Sequence, residues 1–474
     1  MCRKTKRGAR FLWRENPIRF SFAGAAALIS LSIGLSCGPS SPSTNLQPGA
    51  LPTKTESSTP ATKAVAVGYA DDQLLTMFAN DRQLPLVKAL IEVRKQDGRD
   101  NALIYYTVAA KSMPKIETWG QHSQLIKQVL DQGWTPQAAA LIPVVQAFQP
   151  TFQEIRKGAM LDYARNIGFR GFDTPVPDFL AAQTFAKMLC VEGRYLETQG
   201  KGLDALINYL TALTVGRDYG TTGGLLISSL ISVSIQSMAL DQIYPLVARG
   251  QLDRTTLDRS LTHLKVIQST QSPVGEAFRT EFLSFPSLLK MIRENPERAR
   301  QTLANMGIDG YPVDEVAKQI DLLEADHKRV WEVAFKQMNV PIQYRNEAAL
   351  QQELDGTMAT VHPIVKRWGP PKFGEAITSF FVMWTKLLET QLATALAAYR
   401  FEKGRYPQQL SELVPAYFQA LPADPFSGTE FRYATTPDGS RYGLYSIGPD
   451  RADNRATIRY DSKNGTISPG DIFF

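Results

Sequence analysis

A change of hydrophobic period at Gly404 divides the chain. From Asp71 to Tyr399 apolar residues recur at intervals of three and four between Gly and Pro breaks; beyond Gly404 they alternate with polar ones. The first pattern places one apolar stripe on each of a series of helices, and the second places apolar side chains on one face of short strands. A chain of 474 residues that is 43% hydrophobic and 21% charged can bury a sizeable core in two or three units. The expected fold class is therefore mainly α, an irregular helical array, with a small C-terminal α+β domain.

Within the helical part, Leu74, Leu75 and Phe78 begin one apolar face, and Ile126, Val129 and Leu130 continue the pattern in another helix. The stretch "MLCVEGRYLETQGKGLDALINYLTALTVG", Met188 to Gly216, places Gly193, Gly200, Ala205, Tyr209 and Ala212 at informative spacings. Small residues let two helices approach and the aromatic fills the hole between them, so the segment resembles a tetratricopeptide hairpin. The period of about 34 residues typical of such repeats does not recur, which leaves an irregular array rather than a regular solenoid. Gly223 to Val247 is the most apolar stretch of the body, but Ser228, Ser229, Ser232, Ser234, Gln236 and Ser237 interrupt it. A helix buried among protein neighbours accommodates these hydroxyls and amides better than one facing lipid. The segment "ENPERARQTLANMGIDGYPVDEVAKQI" reads as a further helix pair.

The net charge of +6 suggests a polyanion partner until its position is considered. Arg3, Lys4, Lys6, Arg7, Arg10, Arg14 and Arg19 face only Glu15 in the leader, and the remainder of the chain is balanced. No basic stripe with interleaved aromatics follows, so nucleic acid is not an expected partner. The uncharged run Phe20 to Ser36 after this basic region has the form of an export signal. Small residues before Cys37 and the Gly-Pro-Ser segment after it resemble a bacterial lipoprotein signal. That resemblance implies lipidation of Cys37 as the new N-terminus; an uncleaved signal anchor is the alternative. Both place the body in the cell envelope, outside the cytoplasm and held to the membrane through the N-terminus. The resulting division is a leader at 1–37, a Pro/Ser/Thr-rich tether at 38–68, a helical domain at 69–374 and a C-terminal domain at 375–474. Cys190, alone in an apolar helical stretch, reads as a small buried hydrophobe rather than a nucleophile.

The C-terminal domain begins with a long helix from about Glu375, with Phe381, Trp384, Leu388, Leu392, Ala395 and Tyr399 on one stripe and a stop at Gly404. A short helix at Ser411 to Leu413, a rigid turn through Pro422, Asp424, Pro425 and Gly428, and strands at Phe431 to Ala434 and Gly443 to Ile447 joined through Pro437, Asp438 and Gly439 follow. The ordered pieces "ALAAYRFEKGRYP", "LPADPFSGTEFRY", "LYSIGPD" and a terminal Asp-Ile resemble the globular domain of the major pseudopilin of type II secretion systems. In that family a loop after the "LYS-G-D" strand binds calcium through aspartates and backbone carbonyls. The resemblance thus implies Asp450 and Asp453 as loop ligands and Asp471, in "GDIFF", as the aspartate near the chain end. Arg451 stands where the family has glycine, and Arg455, Arg459 and Lys463 offset the loop's aspartates. Two readings of the stretch Leu444 to Asn454 stay open: a calcium loop, or an ion-free loop held by Asx-type hydrogen bonds. Phe20 to Ser36 lacks the glutamate-bearing helix of a pilin subunit, so the domain reads as a module that does not assemble.

Enzyme motifs do not emerge. His122, His263, His327 and His362 form no close ligand pair, "GTTGG" at Gly220 to Gly224 lacks a phosphate-loop lysine, and Glu315 and Asp321 lie on solvated helix faces. The leading expectation is an exported, membrane-tethered scaffold or binding protein with protein partners in the envelope, associated with type II secretion or pilus-like machinery. An envelope hydrolase with a cleft in the helical domain is the alternative.

Overall fold

The computed structural model describes residues 68–474 apart from 116–118, 222–223, 307, 309, 370–371 and 467. The leader, with Cys37, and the tether lie outside the described residues. From Asp71 to Lys403 the chain runs helix after helix, and among the described residues a single two-stranded sheet follows. Local sequence sets many of the boundaries. Asn101, Asp178 and Asp253 each accept the backbone N–H of a first-turn residue (Leu103 at 3.1 Å, Ala181 at 3.0 Å, Thr256 at 2.8 Å), which satisfies a donor the helix cannot pair internally. Gly98 and Gly404 end their helices with φ of 63° and 73°, a conformation that costs glycine nothing.

The helices Phe179–Thr198 and Gly202–Tyr219 form the hairpin expected from their small residues. A methyl group added at Gly193 would overlap the ring of Tyr209, and Ala205 and Ala212 are fully buried. Here the absence of a side chain brings the backbones together and the aromatic ring fills the gap. Cys190 lies in the same contact, wholly buried, and desolvation pushes its thiol up to about 12, a poor nucleophile at neutral pH. The apolar helix Leu226–Ala248 continues the layer: Gly216 meets Ile235 and Gln236 closely enough that a Cβ would approach either side chain to 2.8 Å. Among the described residues this is the one helix long and apolar enough to cross a membrane. It packs on Phe179–Thr198, on Gly202–Tyr219 and on the long helix Phe373–Lys403, with Ser228, Ser232, Gln236 and Gln242 buried in those contacts.

The long helix differs from expectation in its surroundings. Instead of one apolar stripe, it is buried without interruption from Thr385 to Tyr399. The apolar helix, the helix Arg254–Ser269 and the strand Tyr442–Tyr445 pack around it. Several of its buried polar residues are paired, as burial demands, while Thr385 Oγ1 and one Glu389 oxygen have no hydrogen-bond partner. Thr390 and Thr394 donate to carbonyls one turn back at 2.7 Å, Gln391 donates to the Leu264 carbonyl at 3.3 Å, and Lys386 pairs with Asp241 at 2.6 Å.

After Gly404 a short 3-10 helix, Leu410–Leu413, carries a reciprocal cap between Gln409 and Glu412. Strands β1 (Arg432–Thr435) and β2 (Tyr442–Tyr445) pair antiparallel with Arg432 opposite Tyr445 and Thr435 opposite Tyr442. Asp438 closes the turn by accepting the Ser440 N–H at 3.0 Å and the Thr436 hydroxyl at 2.5 Å, bonds that hold its carboxyl down to about 2. The second strand is shorter than expected because Ser446 leaves the hairpin to pair with Ile472, exchanging two backbone bonds of 3.0 and 2.9 Å.

Two apolar cores result, and the C-terminal segment enters both. Tyr406, Leu410, Leu413, Phe418, Phe431 and Leu444 join the core of the first helices. Phe426, Ile447, Tyr460 and Ile472 join a second core built on Phe278, Phe285, Trp331 and Phe373.

Candidate functional site

The loop from Gly448 to Ala456 and the chain end are built around three carboxylates. Asp450 accepts the N–H of Ala452 at 3.1 Å and that of Gly470 at 3.0 Å. Asp453 accepts the Arg455 N–H at 3.0 Å, the Tyr445 hydroxyl at 3.1 Å and the Arg432 guanidinium at 3.0 Å. Asp471, fully buried, accepts the N–H groups of Asn454 at 3.2 Å and Ala456 at 2.6 Å. The residues singled out in sequence are thus brought together, loop against chain end. Burial raises the Asp471 carboxyl above its ordinary range; the two amides oppose that shift and the charges of Asp453 and Asp450 add to it. The Arg455 amide, with Arg432 and Tyr445, holds Asp453 below its range despite some desolvation.

All six carboxylate oxygens therefore face N–H or O–H donors. Calcium takes about six to eight oxygen ligands, and among the described residues no three His, Cys, Asp or Glu side chains group as metal ligands. As arranged, these aspartates have the hydrogen bonding expected of the ion-free loop. The protein should accordingly melt at the same temperature in millimolar calcium and in chelator. Asp471→Ala, which removes the acceptor of two loop amides, should cost about 1–3 kcal/mol in either condition. A calcium-dependent rise in melting temperature that Asp450→Ala removes would restore the ion-binding reading.

Beside this loop, at the seam between the helical body and the C-terminal segment, opens a cleft of about 510 Å³. One wall is the turn Ile342–Tyr344 and the start of the helix Glu347–Thr360, and the other is Pro449, Asp450 and Arg451. Asn346 caps the helix by accepting the Ala349 N–H at 3.0 Å, which fixes its N-terminus toward the cleft. Arg345 has only 2% of its side chain exposed. One terminal nitrogen donates to the Val340 carbonyl at 3.0 Å, while the other lies 3.9 Å from Glu347, too far for a hydrogen bond. Arg451 donates to the carbonyl of Arg345 at 2.5 Å. The Nε and Nη1 of Arg345, the Nε of Arg451 and both carboxylate oxygens of Glu347 are buried without a hydrogen-bond partner in the protein. Burial pushes the Arg345 guanidinium down, Glu347 opposes this and Arg451 adds to it. Burial likewise pushes the Glu347 carboxyl up against the attraction of Arg345 and Arg451. Sequence reasoning singled out Asp450 on one wall and missed Arg345 and Glu347 on the other. The visible signal was the Asn346 cap; the burial of an arginine, a residue that normally stays exposed, was not.

The histidines have separate placements. His327 is buried against Phe282, with its Nε2 3.0 Å from that residue's carbonyl oxygen, and desolvation lowers it to about 4. His263 lies 2.9 Å from the Thr214 hydroxyl, also lowered by burial, and His362 accepts the Ile364 N–H as a helix cap. A buried acid, Glu389, accepts the Ser446 N–H at 2.9 Å where the long helix meets the end of β2. Asp424 accepts the Ser446 hydroxyl at 2.7 Å and the Phe426 N–H at 3.0 Å beside it. These groups join the C-terminal segment to the long helix, and neither acid lines the seam cleft. Comparison of the chain with protein-family models, with curated proteins and with solved structures finds no match.

Proposed function

We propose that the protein is an exported, membrane-tethered binding scaffold of the bacterial cell envelope, whose C-terminal segment is a pseudopilin-like module serving recognition rather than assembly. The observation that supports this most is the way the module is built in. Its aromatic and aliphatic residues are divided between both helical cores, and the final Phe474 stacks on Tyr244 of the apolar helix with ring centroids 4.1 Å apart. A module seated in this way presents its loops and the seam cleft at fixed positions on the helical body, as a scaffold requires. The long helix feeding a two-stranded hairpin, in the order helix, proline-rich turn, strand, turn, strand, agrees with the pseudopilin-like motif order. The basic, apolar leader and Cys37 supply the tether in this reading, and type II secretion or pilus-like machinery supplies the partners.

The location is tested at Cys37. Metabolic labelling with a fatty-acid analogue should mark the protein, and Cys37→Ser should abolish the label and leave a longer precursor. Unchanged processing in that variant leaves the signal anchor as the tether. A body degraded by protease only after the cytoplasm is opened would remove the envelope reading altogether.

A further inference from the structure

We infer that the seam cleft is a receptor for the C-terminal carboxylate of a peptide or protein chain ending in an apolar residue. This goes beyond the scaffold reading and stands without it, because it rests on the unpaired groups of one cleft.

The first step is the cost of the cleft as it stands. Arg345 is almost wholly removed from solvent, yet two of its three nitrogens lack a protein partner. Glu347, its nearest counter-charge, is 3.9 Å away with both oxygens unpartnered. Burying an unpaired charge is expensive, and a folded chain generally retains such a group only where something else completes its bonding. The backbone holds the arrangement in place: a Cβ at Gly374 would overlap a Glu347 carboxylate oxygen, so the start of the long helix is shaped around that side chain.

The chemistry of the missing partner follows from the donors and acceptors. The guanidiniums of Arg345 and of Arg451, the latter bonded to the main-chain carbonyl of Arg345, offer planar N–H donors of the kind that bind a carboxylate. The helix that begins at Glu347 adds the positive end of its dipole to the same cleft. Glu347 offers the opposite function, two acceptor oxygens. A chain terminus has both parts in one short unit: the carboxylate, and two bonds from it the amide N–H of the last residue. The first suits the arginines and the second suits Glu347. An inorganic dianion satisfies the arginines but meets Glu347 and Asp450 with like charge. The volume, about 510 Å³, is larger than one free amino acid needs and suits the last two or three residues of a chain. Ile342 and Phe426, exposed by 4% and 2%, form an apolar floor that fits a terminal aliphatic or aromatic side chain.

The full chain, purified in detergent, is titrated calorimetrically with N-acetyl-Ala-Leu, with its C-terminal amide and with inorganic phosphate. The free acid should bind, and the amide should bind about tenfold more weakly or worse, the range expected for losing a charge-assisted hydrogen bond. Arg345→Lys, which keeps the charge and removes the planar fork, and Glu347→Gln should each weaken the free acid by a similar factor. Gly374→Ala, which displaces the Glu347 carboxylate without altering a charge, should do the same and keeps the test valid if Arg345→Lys fails to fold. Equal affinity for acid and amide, no heat with the free acid, or tighter binding of phosphate than of peptide would each overturn the inference. So would peptide affinity unchanged in Glu347→Gln and Gly374→Ala.

Discussion

Gly448→Ala should destabilise the protein by about 3 kcal/mol or more, enough to remove a large share of the stability of an ordinary domain. Two costs combine at this position. Gly448 has φ of 72°, where an alanine Cβ is strained by about 1–2 kcal/mol. That Cβ would also overlap the carbonyl oxygen of Gly470, a backbone atom that cannot swing aside as a side chain can. The contact lies between the end of β2 and the chain terminus, whose bridge through Ser446 and Ile472 positions Asp471 against the loop amides. Relief requires the terminal segment to move, which uncovers Ile472 and disturbs the Phe474 stack on Tyr244. Chemical denaturation should report the loss, with increased proteolysis after residue 448 as its local signature. Gly443→Ala, two residues inside the same strand's end with nothing within 4 Å of an added Cβ, is the control and should change stability by less than about 1 kcal/mol. Similar losses for both variants would show that the terminal bridge does not carry the effect.

The hairpin, its Asp438-Gly439 turn and the two-helix contact at Gly193 were legible because each is written within a few residues, in period, turn chemistry and small-residue spacing. The αL stop at Gly404 was legible for the same reason. The surroundings of the long helix were not. Lys386, Glu389, Thr390, Gln391 and Thr394 interrupt its apolar pattern and imitate a solvated face, yet Thr390 and Thr394 bond the helix's own carbonyls, and the partners of Lys386, Gln391 and Glu389 arrive from Asp241, Leu264 and Ser446, far away in the chain. Burial of a polar residue is decided by such distant partners, and a single sequence does not display them. The candidate site divides in the same manner. The aspartates of the loop were implied by the resemblance of the C-terminal motifs, and Asp471 does reach the loop. Arg345 and Glu347 belong to the seam, which exists only once the C-terminal segment has folded back on the helical body.

Glu389→Gln should stabilise the protein at pH 8 by about 1–3 kcal/mol, the usual cost of a buried polar group left without full pairing, and should have little effect at pH 4. Glu389 is fully buried; one oxygen accepts the Ser446 N–H and the other has no hydrogen-bond partner. Burial raises its carboxyl well above the ordinary value, and the neighbouring Asp424 charge adds to this. The Ser446 amide and the charges of Lys386 and Arg459 offset only part of the shift. The sign follows from linkage. A carboxyl whose folded pKa exceeds its unfolded value binds its proton more tightly in the native state, so its contribution is complete below the unfolded value, about 4.5, and is lost as pH rises through the folded one. Wild-type stability should therefore fall with rising pH over that window. Glutamine retains the acceptor for Ser446 and has no charge to bury, so the variant should lose this slope. Glu389→Ala separates charge from shape: it removes the acceptor, leaves a cavity beside the long helix and should be destabilising at both pH values. Denaturation curves at pH 4, 6 and 8 for the three proteins decide the matter, and a glutamine variant that parallels wild type across the series would mean that Glu389 is ionised in the fold and held by Lys386 and Arg459.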